Sequence, residues 1–224
     1  MLSLLVAAWG ITAASAADRG RVKVQNGTVL SDRNTLLRGV RTQLLKGYVA
    51  PNSYWRHLSA DIGINAVRYG VKTNAQGRPL AQQLPALDLA VNLAGANHLY
   101  LMINNSTKSG TYDLAALKAF WSVVAPRYKN RTHVFFEMTN EPVKGSPHWG
   151  APEQFTDKVL GDLKSVYAIM RTGAPKTHIV MFTTANLWPT CSSWVALIRR
   201  MGGIDWTKAS VGFHHYLSLI HIFS

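Results

Sequence analysis

The sequence predicts an α/β chain of the (β/α)8 TIM-barrel type, incomplete, with about six βα units present. Three observations lead there. Short apolar runs alternate with longer segments of helical period along the 224 residues. No glycine-rich phosphate-binding turn follows the first run. Polar residues collect where the runs end, which is where a barrel builds its site.

The elements come in order. Residues 2–16, "LSLLVAAWGITAASA", form an uncharged apolar run that ends in Ala14-Ser15-Ala16, a small-x-small cleavage pattern, before Asp18 and Arg19. This is expected to be a secretory signal peptide over 1–16, and it is too short for a membrane span. No Lys or Arg precedes the run, a feature it shares with docked N-terminal helices. A barrel domain is expected over 17–216. "RVKVQNGTVL" holds two short β-runs around Asn26-Gly27, the signal for a type I′ hairpin. Six apolar or β-branched runs then predict buried strands at 36–40, 65–71, 99–104, 133–138, 178–183 and 210–216.

Five stretches between them have the helical period: 54–63, 84–98, 113–130, 152–174 and 192–203. In the third, Leu114, Leu117, Phe120, Trp121 and Val124 recur at three and four and mark one face. Asp113 and Ser192 stand as start signals, Gly173 and Gly202 as stop signals.

Strands alternating with helices imply a parallel sheet covered by helices, either an open doubly wound sheet or a barrel. The nucleotide-binding form of the open sheet needs G-x-G-x-x-G or a P-loop lysine after the first strand. "RGVRTQLLKG" has neither. The barrel form expects polar residues at strand ends, and Arg68, Asn104, Asn105, Asn140, Glu141, Asn186, Trp188, His214, His215 and Tyr216 all fall there.

Composition narrows the function classes. The chain carries 24 Lys and Arg against 11 acidic residues, a net charge of +13. The cations are scattered singly, with no run longer than Arg199-Arg200, so a solvated basic surface is expected and no nucleic-acid partner. Cys191 is the only cysteine, which leaves no internal disulfide. No His and carboxylate cluster has ligand spacing such as H-E-x-x-H, so no metal or other cofactor is expected. No membrane association and no protein partner are implied.

The richest stretch is "FFEMTNEP", residues 135–142, where an apolar strand runs into carboxylates. A carboxylate kept inside costs several kcal/mol unless something offsets it. Glu141 at the end of the run therefore either sits where the strand emerges into a cleft or lies in a surface turn. Glu137, inside the strand, is the competing carboxylate.

A strand ending in Asn140-Glu141-Pro142, Arg68 in "NAVRYGV" at the second strand, and His214 with Tyr216 in "FHHY" at the sixth look like the barrel glycoside hydrolases of the cellulase family, family five, and its retaining relatives. The resemblance covers about residues 20 to 216. It implies that Glu141 is the catalytic general acid/base and that Asn140 holds the sugar 2-hydroxyl. It also places Arg68 beside a second carboxylate, with Tyr216 and His214 in the same network. Retaining enzymes need two carboxyl groups about 5–5.5 Å apart, one to protonate the leaving oxygen and one to attack. Glu137 has no counterpart in the resemblance. Trp149 and Trp188, in loops after the fourth and fifth strands, suit the apolar faces of sugar rings. The expected partner is a polysaccharide or oligosaccharide.

Two departures stand out. The third strand ends in Asn104 and Asn105 where the family has a histidine. The family's nucleophile is a glutamate ending the seventh strand, and no glutamate follows Glu153. With six strands and the apolar run "LSLIHIFS", the chain is expected to be an N-terminal fragment whose residues 217–224 are a non-native tail. A non-catalytic carbohydrate-binding barrel and a basic nucleic-acid-binding α/β protein are the alternative readings. Export makes a direct prediction: cleavage after Ala16 leaves Ala17 or Asp18 as the mature N-terminus, and N-terminal sequencing of the secreted product checks it. An exported protein retaining Met1 would contradict it.

Overall fold

A computed structural model describes residues 19–43, 49–72, 79–106, 110–143, 154–184 and 191–214. The expected signal peptide and tail lie outside these residues. Strands β1 (Lys23–Gln25) and β2 (Thr28–Leu30) pair antiparallel. Asn26 and Gly27 between them have φ of 50° and 74°, as a type I′ turn requires.

Next come β3 (Gly39–Gln43), α1 (Asn52–Arg56), β4 (Ala66–Val71), α2 (Leu80–Ala96), β5 (Tyr100–Asn105), α3 (Leu114–Tyr128), β6 (Val134–Glu137), α4 (Asp157–Gly173), β7 (Ile179–Thr184), α5 (Cys191–Arg200) and β8 (Ala209–Phe213). A single wide turn, His57–Asp61, extends α1. Strands β3 to β8 form one parallel sheet in sequence order.

Boundaries moved for physical reasons. The first barrel strand begins at Gly39, not at 36, because Leu36 bridges back to Leu30 of the hairpin and Leu37 packs beneath the sheet. Helix α4 begins at Asp157, where the Thr156 side chain accepts from the Val159 N–H at 3.3 Å. Asp113 caps α3 as expected, accepting from the Ala116 N–H at 3.0 Å.

Period-two alternation sorts each strand into two faces. One face, with Val67, Tyr69, Leu101, Ile103, Phe136 and Met181, packs on the helices, against residues such as Leu87, Trp121 and Leu163. The opposite face presents Ala66, Tyr100, Phe135 and Val180, which cluster with Val22, Val29 and Leu37 of the hairpin segment. The hairpin thus plugs one end of the sheet's inner side. Tyr100 bolts it there: its hydroxyl lies 2.7 Å from the Asp32 carboxylate and 2.9 Å from the Gly20 carbonyl, and accepts from the Asp32 N–H at 3.0 Å.

The sheet curls. A cavity of about 410 Å³ on the inner side is lined at once by Gly39, Val40 and Arg41 of β3 and by Ser210, Val211 and Gly212 of β8, the two outer strands of the ladder. Six parallel strands wrapped round such a space are an incomplete barrel. No helix among the described residues is long and apolar enough to cross a membrane.

Two buried histidines tie stability to pH. His178, just before β7, reaches the Ser210 hydroxyl with Nε2 at 2.9 Å, and burial, then Arg171, push its pKa from 6.5 down to about 4. His133 donates Nε2–H to the Val91 carbonyl at 2.9 Å, and burial lowers it too. Below pH 6.5 the unfolded chain therefore binds protons that the folded chain refuses. Stability is expected to fall as pH drops from 6.5 towards 4, with about 3 kcal/mol from His178 at about 1.4 kcal/mol per pKa unit. Urea melts across that range check it; a folded His178→Gln variant with an equally steep slope would contradict it.

Candidate active site

Alternation fixes which side chains look inward. On β4 the inner positions are Ala66 and Arg68, and on β6 they are Phe135 and Glu137. Arg68 is in register with Met102, which pairs with Phe135. From there its long arm reaches forward and across β5 to Glu137. Its Nε donates to Glu137 Oε2 at 2.5 Å and its Nη2 to Oε1 at 2.6 Å. Glu137 is wholly buried, whereas the Arg68 side chain retains 13% exposure on the cavity. This two-pronged pair lets a carboxylate sit in the interior without an unmatched charge.

A third donor comes from an irregularity in β7. Val180 pairs with Ser210 and Thr183 with Gly212, so three steps on β7 match two on β8. Such a bulge reverses the facing of the residues beyond it. Met181 and Phe182 both join the helix-side core, and Thr183 turns inward to donate its hydroxyl to Glu137 Oε1 at 2.9 Å. Gly212 makes room: a Cβ there would stand 2.6 Å from the Thr183 methyl carbon.

Beyond β6 the chain stays clamped. Asn140 bridges Thr183 in parallel, and Asn140 Oδ1 accepts from Arg68 Nη2 at 2.8 Å. The Glu141 N–H donates to the Thr183 carbonyl at 3.0 Å, while the Glu141 carbonyl accepts from the Gly110 N–H at 2.7 Å. Glu141 has φ +40°, in the left-handed region, which costs an ordinary residue about 1–2 kcal/mol. Its carboxyl Oε1 lies 2.6 Å from His214 Nδ1. His214 is itself held by its N–H, which donates to the Thr184 carbonyl at 2.7 Å. Glu141 and the imidazole thus lie within hydrogen-bond distance at the strand ends, with the Glu141 side chain 5% exposed and that of His214 23%.

The structure thus brings Arg68 to Asn140 and Glu141 to His214. The described partner of Arg68 is Glu137, the carboxylate without a counterpart in the resemblance, because alternation turns both inward. His214 Nδ1 lies 2.6 Å from Glu141 Oε1, and its anchor on Thr184 sets it beside the turn after β6. Asn104, near the end of β5 and in register with Glu137, is fully buried, and among the described residues neither of its amide atoms has a hydrogen-bond partner. Trp149, Asn186, Trp188, His215 and Tyr216 lie outside the described residues. Among the described residues, no three His, Cys, Asp or Glu side chains gather as metal ligands.

Two residues beside the expected ones are Glu137, named from sequence only as the competing carboxylate, and Thr183, which was missed. Glu137 had a signal, since an inward arginine demands a carboxylate and Glu137 shares its face. Thr183 had none, because the bulge that turns it inward leaves no mark in the apolar run.

The arrangement sets the Glu141 carboxyl against an imidazole and the Asn140 amide against Arg68, which lines the cavity. The family model for cellulase, glycosyl hydrolase family 5, matches residues 29–219. The catalytic domain of endoglucanase Cel5A from Thermobifida fusca superposes with a TM-score of 0.65 at 18% identity, over 87% of this chain and 64% of that one. A β-glucanase from Saccharophagus degradans, solved with cellotetraose, superposes with a TM-score of 0.64 at 16% identity, over 88% of this chain and 61% of that one. At such identities the likeness is one of fold, and the chain spans somewhat under two thirds of either structure. No curated protein matches the chain in sequence. The family match takes in most of the chain and both structural likenesses agree with it: the chain belongs to glycosyl hydrolase family 5.

Proposed function

We propose that the chain is part of a secreted retaining glycoside hydrolase that cuts O-glycosidic bonds in β-linked polysaccharides such as cellulose, glucan or mannan. The observation that carries the reading is Glu141: a nearly buried carboxyl, held in a left-handed turn at the strand ends and within 2.6 Å of the His214 imidazole. Strain and burial of this kind are costs to stability that a site for chemistry explains. Cellotetraose in the S. degradans enzyme supports an oligosaccharide ligand.

In this reading Glu141 is the general acid/base. It protonates the glycosidic oxygen as the bond to the anomeric carbon breaks, and a second carboxylate attacks that carbon from the opposite face. Glu141, now ionised, then takes a proton from the water that releases the sugar. Asn140 donates from its amide to the sugar 2-hydroxyl, and Trp149 and Trp188 stack against sugar rings, with Tyr216 near the attacking carboxylate. No glutamate follows Glu153. We therefore assign the attacking carboxylate to sequence outside this chain, and the chain by itself is expected to bind but not to hydrolyse.

The test compares residues 17–216 alone with the same residues extended by a family-like C-terminal quarter, on soluble β-glucans and mannans. The extended form is expected to hydrolyse with retention of anomeric configuration, read by proton NMR. Glu141→Gln is expected to lower its kcat by about 10²–10⁴, the usual worth of a general acid. Turnover by the short form that Glu141→Gln abolishes would overturn the assignment of the second carboxylate.

A further inference from the structure

We infer that Glu137 is a positioning residue: acting through Arg68, it fixes which way the Asn140 carboxamide faces, and so aims an amide donor at the sugar. The functional half of this rests on the sugar reading of Asn140 above; the structural half stands on geometry alone.

A guanidinium is planar, so two bonds to one carboxylate fix its plane and not just its position. With Nε and one Nη2 hydrogen committed to Glu137, the other Nη2 hydrogen is directed at Asn140 Oδ1, 2.8 Å away. The flip of an asparagine is decided by such a contact, because the alternative sets amide N–H against guanidinium N–H. The Asn140 oxygen therefore faces Arg68, and its NH2 faces the other way.

Glu137 can serve as the fixed end because nothing leaves it free to turn. It is wholly buried, and the Thr183 hydroxyl holds Oε1 as a third donor at 2.9 Å. Thr183 is in turn placed by the bulge in β7 and by the missing side chain of Gly212. Orientation thus passes from β8 and β7 through Glu137 to Arg68 on β4, and from Arg68 back to Asn140 after β6. Without the negative charge of Glu137, an arginine already part-exposed to the cavity would turn towards water and release the amide.

The experiment uses the full chain and side-chain ¹H–¹⁵N NMR, with the Asn140 NH2 signals identified by their loss in Asn140→Asp. In Glu137→Gln the Arg68 Nε–H signal is expected to lose its protection from exchange, and the Asn140 NH2 pair to move and exchange about tenfold faster, as expected on loss of a charge-assisted contact. Thr183→Val, which removes one of the bonds holding Glu137, is expected to move the same pair less. It decides the question if Glu137→Gln does not fold. Cellotetraose is the ligand probe. Glu137→Gln is expected to weaken its binding about as much as Asn140→Ala does, with the double variant no weaker than Asn140→Ala alone, since the two act through one contact.

Unmoved Asn140 signals in the folded variants, or binding losses that multiply in the double variant, would overturn the inference. A wild-type chain that does not bind cellotetraose would remove the sugar reading, while the NMR signals still decide whether Glu137 sets Asn140.

Discussion

The structure turns on one charge pair that has been taken out of water. Glu137 is wholly buried and Arg68 is part-buried, open to the cavity. Desolvating such groups costs several kcal/mol each, and removing one partner of a buried pair costs about 3–5 kcal/mol. The fold therefore has to supply every contact these two groups lost from water. It does so with two guanidinium bonds, the Thr183 hydroxyl and the Asn140 amide oxygen. The surface pairs make the contrast clear. Lys158–Asp162, Arg200–Asp157 and Lys208–Asp205 lie at the surface with at least one partner open to solvent, where such pairs contribute about 0–1 kcal/mol. Their loss would leave the strands where they are.

Supplying those contacts constrains three strands at once. β4 must present position 68 inward, β6 must present 137 inward, and β7 must be irregular so that 183 joins them. The irregularity has its own condition on β8, where Gly212 leaves space for the Thr183 methyl. The next residues along are the ones placed for chemistry. Asn140 bridges Thr183, Glu141 donates to the Thr183 carbonyl, and His214 hangs from Thr184. The ion pair and the Glu141–His214 pair thus share one support, the end of β7.

Much of this was legible in the sequence because it depends on period and punctuation. The hairpin at Asn26-Gly27, the six strands and five helices, and the gathering of Arg68, Asn140, Glu141 and His214 at strand ends all obey local rules. What escaped were effects that no local rule contains. The apolar run points to a first strand three residues too early because Leu36 and Leu37 are apolar for a different reason, packing on the hairpin and under the sheet. Glu137 is hard to place from sequence because a carboxylate inside a strand looks like a misfit until its arginine, 69 positions away, is brought beside it. Thr183 lies in a run that is uniformly buried, with no alternation to break and hence no sign of the bulge.

The same accounting makes Glu141 the point where the fold yields to something other than its own stability. A glutamate at φ +40° occupies a conformation that a glycine or asparagine would take at less cost. Its backbone cannot relax, because the Thr183 carbonyl holds its N–H and the Gly110 N–H holds its carbonyl. Among the described residues its carboxyl lies against the His214 imidazole, whereas the neighbouring Glu137 is held by the Arg68 guanidinium. The two glutamates of "FFEMTNEP" thus differ by their partners: one is locked by a planar, two-pronged cation inside the sheet, and the other meets a half-open ring at the strand ends.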